Sequence, residues 1–169
     1  MKKVAEGKRL IVLDDGGWEY VERKKGKEAV IVLAQTDDGR VILTEQYRPP
    51  VKRNVIDWAA GLVGDHEGNA DPAEAAKQEL EEETGYRADS VEMLARGSSS
   101  AGITSEIISF YRAKGVRRVG EGGGVGGESI TVHTIPMGEL VDWLREQEKG
   151  GKLIDLKIWG GLYFLTQST

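Results

Sequence analysis

The segment from Asp71 to Gly85 reads DPAEAAKQELEEETG and carries the clearest local signals in the chain. Asp71 is a suitable N-cap residue, and Pro72 suits the first helical position. Gly85 suits the left-handed conformation in which many helices end. We therefore predict a helix over Pro72–Thr84, and the patterns on either side of it complete the fold.

Three glutamates of this predicted helix share one face, because Glu79 lies three residues before Glu82 and four before Glu83. Like charges at this spacing repel, and the helix dipole disfavours anions near the C-terminus. A divalent cation would reverse this balance, since carboxylate oxygens are suitable ligands for Mg²⁺ or Mn²⁺. Taken alone, the three residues are equally consistent with a solvated acidic face.

Strand patterns precede and follow the helix. Glu28–Thr36 (EAVIVLAQT) and Gly39–Tyr47 (GRVILTEQY) are rich in apolar and β-branched residues, and the turn residues between them predict a hairpin. An earlier pair, RLIVLDD and WEYVERKK, predicts another hairpin. Further strands are predicted at VEMLARGSS, EIISFYRAK and SITVHTIP, and further helices at Met137–Gln147 and Ile154–Thr166. The pattern predicts an α+β fold, an α/β/α sandwich with a mixed sheet between helices and an N-terminal β-hairpin extension.

Composition limits the classes of function. The 169 residues suffice for one domain, alone or with a small extension, and the absence of cysteine excludes disulfides and thiolate chemistry. A formal net charge of −5 argues against the broad basic surface that nucleic-acid binders use. No apolar run reaches the length of about 18 residues that a membrane span needs. We therefore expect a cytoplasmic protein with neither nucleic-acid nor membrane partners.

The run from Gln78 to Tyr86 (QELEEETGY) resembles the second half of the Nudix box, the motif of the Nudix hydrolase superfamily. Gly61, followed after five residues by Glu67, is similar to the first half. Gln78 stands where the family has an arginine, so its hydrogen bonds lack that positive charge. Ten residues separate Glu67 from Gln78 where the family has seven, which we interpret as a three-residue insertion.

Keeping the family spacing would instead place Gly64 and Ala70 at the glycine and glutamate of the first half-motif. Both registers leave the glutamate-rich half intact. The segments Ala59–Val63, Glu45–Arg48 and Ser100–Glu106 are similar to the ADP-ribose pyrophosphatase and nucleotide-sugar hydrolase branch. This resemblance implies hydrolysis of the pyrophosphate bond of a nucleoside diphosphate derivative, either ADP-ribose, giving AMP and ribose 5-phosphate, or a nucleotide sugar.

The resemblance also implies a metal site on the predicted helix. Glu79 and Glu83 would be the principal ligands, and Glu82 would be a further ligand or a contact through water. The carbonyl oxygen of Ala60 would complete the set as a backbone ligand. The expected ion is Mg²⁺, with Mn²⁺ as an alternative, and Glu82 and Glu83 would thereby belong to the catalytic group.

The catalytic base is expected on the glycine-rich segment Gly115–Glu128 (GVRRVGEGGGVGGE), which we interpret as a mobile loop. In the branch that this chain resembles, a loop glutamate before a late strand approaches the metals. Glu128 is our first choice for this base or for an additional ligand, and Glu121 is the second. An ordinary exposed loop carboxylate is the alternative for Glu128.

Five residues are candidates for substrate contacts. Arg48 and Arg53 precede the box and could bind diphosphate oxygens. Trp18, Tyr20 and Trp58 could stack on a base, although a place in the core or in a dimer interface is as consistent with each aromatic.

Members of the branch are usually homodimers with shared sites. We therefore expect residues 1–27 to form a dimerising β extension and residues 28–169 to form the Nudix hydrolase domain. The alternative function, favoured by Gln78 and the altered loop, is a non-catalytic Nudix-fold module that binds and senses a nucleotide.

Overall fold

A computed structural model describes residues 1–26, 28–64 and 71–167. Its N-terminal part is an antiparallel three-stranded sheet made of β1 (Lys2–Glu6), β2 (Leu10–Asp15) and β3 (Trp18–Arg23). The predicted hairpin is therefore present as β2 and β3. Strand β1, which the sequence analysis did not predict, pairs with β2 through a register shift between Lys3 and Ala5.

The central sheet contains eight strands and is mixed, as predicted, because it has both parallel and antiparallel pairs. Strand β10 pairs in parallel with β4, and β13 pairs in parallel with β6, whereas the remaining pairs are antiparallel. A two-stranded sheet of β8 (Tyr86–Arg87) and β11 (Arg117–Arg118) lies beside it. The eight strands are β4 (Glu28–Gln35), β5 (Arg40–Arg48), β6 (Arg53–Asp57), β7 (Ala59–Leu62), β9 (Ser90–Ser98), β10 (Ile107–Lys114), β12 (Ile130–Pro136) and β13 (Leu153–Ile154).

Helix α1 spans Pro72–Thr84, as predicted from its caps. The Asp71 side chain accepts a hydrogen bond from the amide nitrogen of Ala73 at 3.0 Å, and Gly85 adopts a left-handed φ of 73°. The other two helices are shorter than predicted. Helix α2 spans Leu140–Lys149 after a 3₁₀ turn at Met137–Glu139, and α3 spans Lys157–Thr166 because Ile154 pairs with β6 instead.

The helices lie on both faces of the sheet, which confirms the predicted sandwich. Side chains alternate along β4, so Val30 and Val32 pack under α1 with Leu80, on one side. Ile31 and Leu33 point to the other side, where they join the core beneath α2 and α3. The sheet thus separates two apolar cores, and the functional groups gather where β7 meets α1.

Backbone hydrogen bonds attach the N-terminal sheet to the central domain. The amide of Val21 donates to the carbonyl oxygen of Ile103 at 2.7 Å, and the amide of Ser105 donates to that of Val21 at 3.2 Å. Arg23 adds a 2.8 Å ion pair with Glu106. These contacts place the end of β3 beside the central sheet.

None of the helices in the described part of the chain is long and apolar enough to cross a membrane.

Candidate active site

The side chain of Glu79, on helix α1, lies directly over Gly61 of strand β7 and fills the space that a side chain at Gly61 would occupy. A Cβ atom at Gly61 would lie 1.9 Å from the Cδ and Oε1 atoms of Glu79. One residue earlier on β7, the amide of Ala60 donates a 3.0 Å hydrogen bond to Oε2 of Glu83. The strand therefore holds two glutamates of the helix against its own backbone.

These glutamates open into a cavity of about 1670 Å³. Glu79, Glu82, Glu83 and Glu128 all line it, as does Ala60, so the residues expected to bind metal and to act as base share one space. Sequence analysis could place the three helical glutamates on one face. It could not show that β7 and a loop 45 residues further along the chain complete the same cavity.

The Glu83 carboxyl is strongly perturbed. Its pKa is raised to about 8, chiefly by burial and also by the negative charges of Glu79 and Glu128. The hydrogen bond from the Ala60 amide and the positive charge of Arg48 act in the opposite direction. A carboxyl group among other carboxylates at low exposure is the setting in which a bound cation yields the largest gain.

The donor set fits a hard divalent cation. It consists of carboxylate oxygens and a backbone carbonyl, which Mg²⁺ and Mn²⁺ prefer to nitrogen or sulfur. Glu82 accepts a 2.8 Å hydrogen bond from Nε2 of Gln78, the residue in the motif's arginine position. Within residues 1–26, 28–64 and 71–167, no three acidic or imidazole side chains form a closed ligand cluster.

Backbone hydrogen bonds attach the glycine-rich segment before Glu128 to the C-terminal end of α1. The amides of Gly123 and Gly124 donate to the carbonyl oxygens of Glu83 and Glu82 at 2.8 and 3.1 Å. Gly122, at a φ of 71°, lies so close to α1 that an added Cβ would be 2.3 Å from the carbonyl carbon of Thr84. The absence of a side chain at Gly122 therefore permits this close contact with α1.

This attachment determines where Glu128 lies. Its Oε2 accepts a 3.2 Å hydrogen bond from the amide of Val125, and the side chain lines the cavity. Glu121, the second choice for a base, is 94% exposed and paired with Arg118, and it does not line the cavity. The geometry thus favours Glu128 over Glu121.

Only one of the five substrate candidates lines this cavity, namely Arg48. Arg53 faces Arg48 across the β5–β6 pair but lies outside the cavity lining. Trp18 is 63% exposed and donates through Nε1 to the carbonyl oxygen of Gly102. Tyr20 donates through its hydroxyl to the sulfur of Met1. Neither aromatic ring reaches the carboxylates.

The stacking role considered for Trp58 is wrong. Its side chain is only 1% exposed, within the core between the sheet and α3. The indole nitrogen donates to the carbonyl oxygen of Lys157 at 3.0 Å, and Gly161 leaves room for the ring. No face of the indole remains available for a nucleotide base.

A partly buried group of ion pairs in the cavity wall was not predicted from the sequence. Lys157 lies 2.9 Å from Oδ2 of Asp57 and 2.6 Å from Oδ2 of Asp155, and all three residues line the cavity. Burial raises the pKa of Asp57 to about 6 despite the lysine. Because 100 residues separate Asp57 from Lys157 in sequence, no local pattern could have predicted their contact.

The two residues proposed for the glutamate position of the first half-motif lie outside the part of the chain that the structure describes. They are Glu67 and, in the alternative register, Ala70.

Comparisons with known proteins agree with the architecture. The model of the NUDIX domain matches residues 25–150. The GDP-mannose pyrophosphatase of Yersinia enterocolitica serotype O:8 / biotype 1B is 32% identical over 158 residues, which cover 86% of this chain and 81% of that protein. A solved structure of an ADP compounds hydrolase superposes with a TM-score of 0.63 at 22% identity, over 83% of this chain and 80% of that one. The latter likeness concerns the fold alone.

Two Bacillus proteins are similar over a shorter range. The methanol dehydrogenase activator of Bacillus methanolicus is 32% identical over 120 residues, covering 70% of this chain and 63% of that protein. The ADP-ribose pyrophosphatase of Bacillus subtilis strain 168 is 35% identical over 104 residues, covering 62% of this chain and 55% of that protein. The chain therefore matches less than two thirds of the length of these two relatives.

Proposed function

The chain belongs to the NUDIX domain family, and from this premise we propose that it is a metal-dependent hydrolase of nucleoside diphosphate derivatives. ADP-ribose and a nucleotide sugar such as GDP-mannose are the proposed substrates, since relatives are named for the pyrophosphatase activity on each. The observation that carries the proposal is the convergence of Glu79, Glu82, Glu83 and Glu128 with Ala60 on one cavity.

Each residue has a proposed task. Glu79 and Glu83 would hold the divalent cation, with Glu82 and the Ala60 carbonyl oxygen completing its coordination. The bound cation would neutralise diphosphate charge and lower the pKa of an attacking water. Glu128 would accept a proton from that water, and Arg48 would bind diphosphate oxygens through its guanidinium group.

The hydrolysis consumes one water and divides the diphosphate into two phosphate monoesters. From ADP-ribose these products would be AMP and ribose 5-phosphate. From GDP-mannose they would be GMP and mannose 1-phosphate. Glu128 would take up one proton of the water while the water oxygen forms the new bond to one phosphorus. The bond between that phosphorus and the bridging oxygen would break, and the bridging oxygen would leave as part of the other phosphate monoester.

Three finer points belong to the same proposal. We propose Mg²⁺ as the working ion, with Mn²⁺ able to replace it, because both prefer oxygen ligands. We propose a homodimer in which residues 1–27 take part, since β1 is an exposed edge strand that can pair with another chain. A cytoplasmic location agrees with the absence of cysteine.

A panel of ADP-ribose, GDP-mannose and related nucleotide sugars, assayed for mononucleotide release, tests the activity. Turnover should require Mg²⁺ or Mn²⁺ and should disappear in excess chelator. Glu81→Gln provides the matched control for glutamate substitutions on α1, because Glu81 is paired with Arg87 outside the cavity. If no member of the panel is hydrolysed with either ion, the proposal is wrong.

A second candidate is a Nudix-fold module that binds a nucleotide and acts on another protein. Two observations favour it, namely the neutral Gln78–Glu82 hydrogen bond in place of a charged one and the relative named as a methanol dehydrogenase activator. Micromolar nucleotide binding without metal-stimulated turnover would support this candidate over the hydrolase.

A further inference from the structure

One corner of the N-terminal sheet is strongly basic. The turn between β1 and β2 carries Lys8 and Arg9, and the segment after β3 carries Lys24 and Lys25. The amide of Lys24 donates to the carbonyl oxygen of Arg9 at 2.9 Å, so the two segments are in contact. We call Lys8, Arg9, Lys24 and Lys25 the basic corner.

The basic corner belongs to the wall of the candidate active-site cavity, because all four of its residues line that cavity. The hydrogen bonds between Val21 and residues 103–105 hold β3 in this position. Gly26, directly after Lys25, packs against Leu62, so that an added Cβ would lie 3.0 Å from the Leu62 Cβ. Leu62 follows the strand residues that contact Glu79 and Glu83, which links the corner to the metal end of the cavity.

The positive charge of the corner is largely uncompensated. Lys24 is paired with Glu6. Among the residues that the structure describes, Lys8, Arg9 and Lys25 have no carboxylate within ion-pair distance. Three neighbouring cations repel one another and attract an anionic ligand into the cavity that they line.

The cavity has more cationic groups than a diphosphate at the glutamates needs. A metal-bound diphosphate already has its cation and the nearby Arg48, which is close enough to influence the pKa of Glu83. The volume of about 1670 Å³ also exceeds the range of roughly 300–1000 Å³ that is usual for a small-molecule site. The site can therefore take a ligand that extends from the glutamates to the basic corner.

We propose that the basic corner binds a second anionic group of the substrate, a phosphate monoester on a ribose hydroxyl outside the scissile diphosphate. This inference rests on the proposed function and narrows it to phosphorylated nucleoside diphosphate derivatives. Lys8, Arg9 and Lys25 are specificity-determining residues in this proposal. They do not contact the scissile bond, so they affect substrate affinity rather than the rate of bond cleavage.

The test compares ADP-ribose with ADP-ribose 2′-phosphate and ADP-ribose 1″-phosphate, which carry the extra phosphate on either ribose. Equilibrium binding is measured by calorimetry with Mg²⁺, and KM and kcat are measured by product release. At least one phosphorylated ligand should bind about tenfold more tightly than ADP-ribose, the scale of one or two charge-assisted hydrogen bonds. The kcat values should stay within a few-fold of each other.

Two triple variants identify the source of this preference. Lys8→Gln/Arg9→Gln/Lys25→Gln should remove it, because the affinity for the phosphorylated ligand should fall about tenfold more than the affinity for ADP-ribose. Lys2→Gln/Arg145→Gln/Lys149→Gln also removes three positive charges, but from residues outside the cavity, and should retain the preference.

Two outcomes would overturn the inference: no preference in the parent protein, or an equal loss of affinity for phosphorylated and unphosphorylated ligands in the corner variant. The second outcome would assign the corner to the shared diphosphate. Neither depends on turnover, because binding is measured separately. A protein that binds with the predicted preference but hydrolyses neither these three compounds nor any nucleotide sugar of the panel would contradict the proposed function and leave the basic corner supported.

Discussion

The amide nitrogen of Ala60 lies 3.0 Å from Oε2 of Glu83 and donates a hydrogen bond to it, joining β7 to the last turn of α1. This bond alone does not offset the burial of the carboxyl, whose pKa is raised to about 8. Without a cation, Glu83 therefore holds a proton at neutral pH. Ionisation of this buried carboxyl lowers the stability of the metal-free fold, whereas a bound cation would stabilise the ionised form.

The free energy of unfolding of the metal-free protein should fall as pH rises from about 4.5 to 8. In this window the unfolded chain loses the Glu83 proton near its ordinary pKa of 4.5, whereas the folded chain retains it up to about 8. The loss between pH 4.5 and 7 should be roughly 3 kcal/mol from this residue. Chelator-treated Glu83→Gln protein should lack this component in urea titrations, and an identical pH dependence in both proteins would contradict the prediction.

Glu83→Gln should reduce turnover by about 100-fold or more and leave the fold intact, because it removes a charged ligand from the proposed metal. Product release at saturating Mg²⁺ measures the loss, and circular dichroism checks the fold. Glu81→Gln, on the same helix but outside the cavity, should retain near-parental rates. Equal rates for Glu83→Gln and the parent would remove Glu83 from the proposed metal site.

Glu128→Gln should lower kcat more than it raises KM, since a proton acceptor acts in the transition state rather than in substrate binding. Steady-state kinetics on ADP-ribose over a range of Mg²⁺ concentrations separates the two effects. An effect confined to KM would assign Glu128 to substrate binding instead.

Gln78→Arg should maintain or increase activity, because a guanidinium would strengthen the 2.8 Å hydrogen bond to Glu82 with a full charge. Gln78→Ala should decrease activity because Glu82 loses this donor. The kcat values and the Mg²⁺ concentration at half-maximal rate measure both effects. A large loss in Gln78→Arg would show that the glutamine is adapted to a different chemistry.

Gly122→Ala should lower kcat by roughly ten- to 100-fold, because a methyl group would push the segment before Glu128 away from Thr84. Gly16→Ala is the matched control, since Gly16 has a similar φ of 66° but has no atom within 4 Å of the added Cβ among the described residues. Both variants should lose about 1 kcal/mol of stability or slightly more from the left-handed backbone. A similar kcat in the two variants would show that the contact with α1 does not position Glu128.

Local sequence signals predicted the parts of the fold that depend on neighbouring residues. Helix α1 begins and ends where Asp71 and Gly85 indicate, and the β2–β3 and β4–β5 hairpins follow from their turn residues. The short strands β6, β7 and β13 were not predicted. Strand β13, for example, has two residues whose conformation is fixed only by pairing with Val55 and Ile56, about 100 residues earlier.

The candidate site likewise combines residues that local sequence patterns predict with contacts that depend on tertiary packing. The helical spacing of Glu79, Glu82 and Glu83 was visible in the sequence, and resemblance to a family supplied Ala60 and Glu128. For Trp58 the sequence left stacking and a place in the core both open, because hydrophobicity alone does not distinguish a core aromatic from one that lines a pocket. The contact between Asp57 and Lys157 and the position of the basic corner arise from tertiary packing, which no pattern within one segment encodes.

The amides of Gly123 and Gly124 satisfy the carbonyl groups at the end of α1, a position where many helices instead carry lysine or arginine. The last turn of α1 contains no basic residue. A lysine there would be a permanent internal counter-ion, and an incoming magnesium ion would have to displace it from the glutamates. Neutral backbone caps end the helix without introducing such a competitor, so the negative charge of the carboxylates is left for the proposed divalent cation.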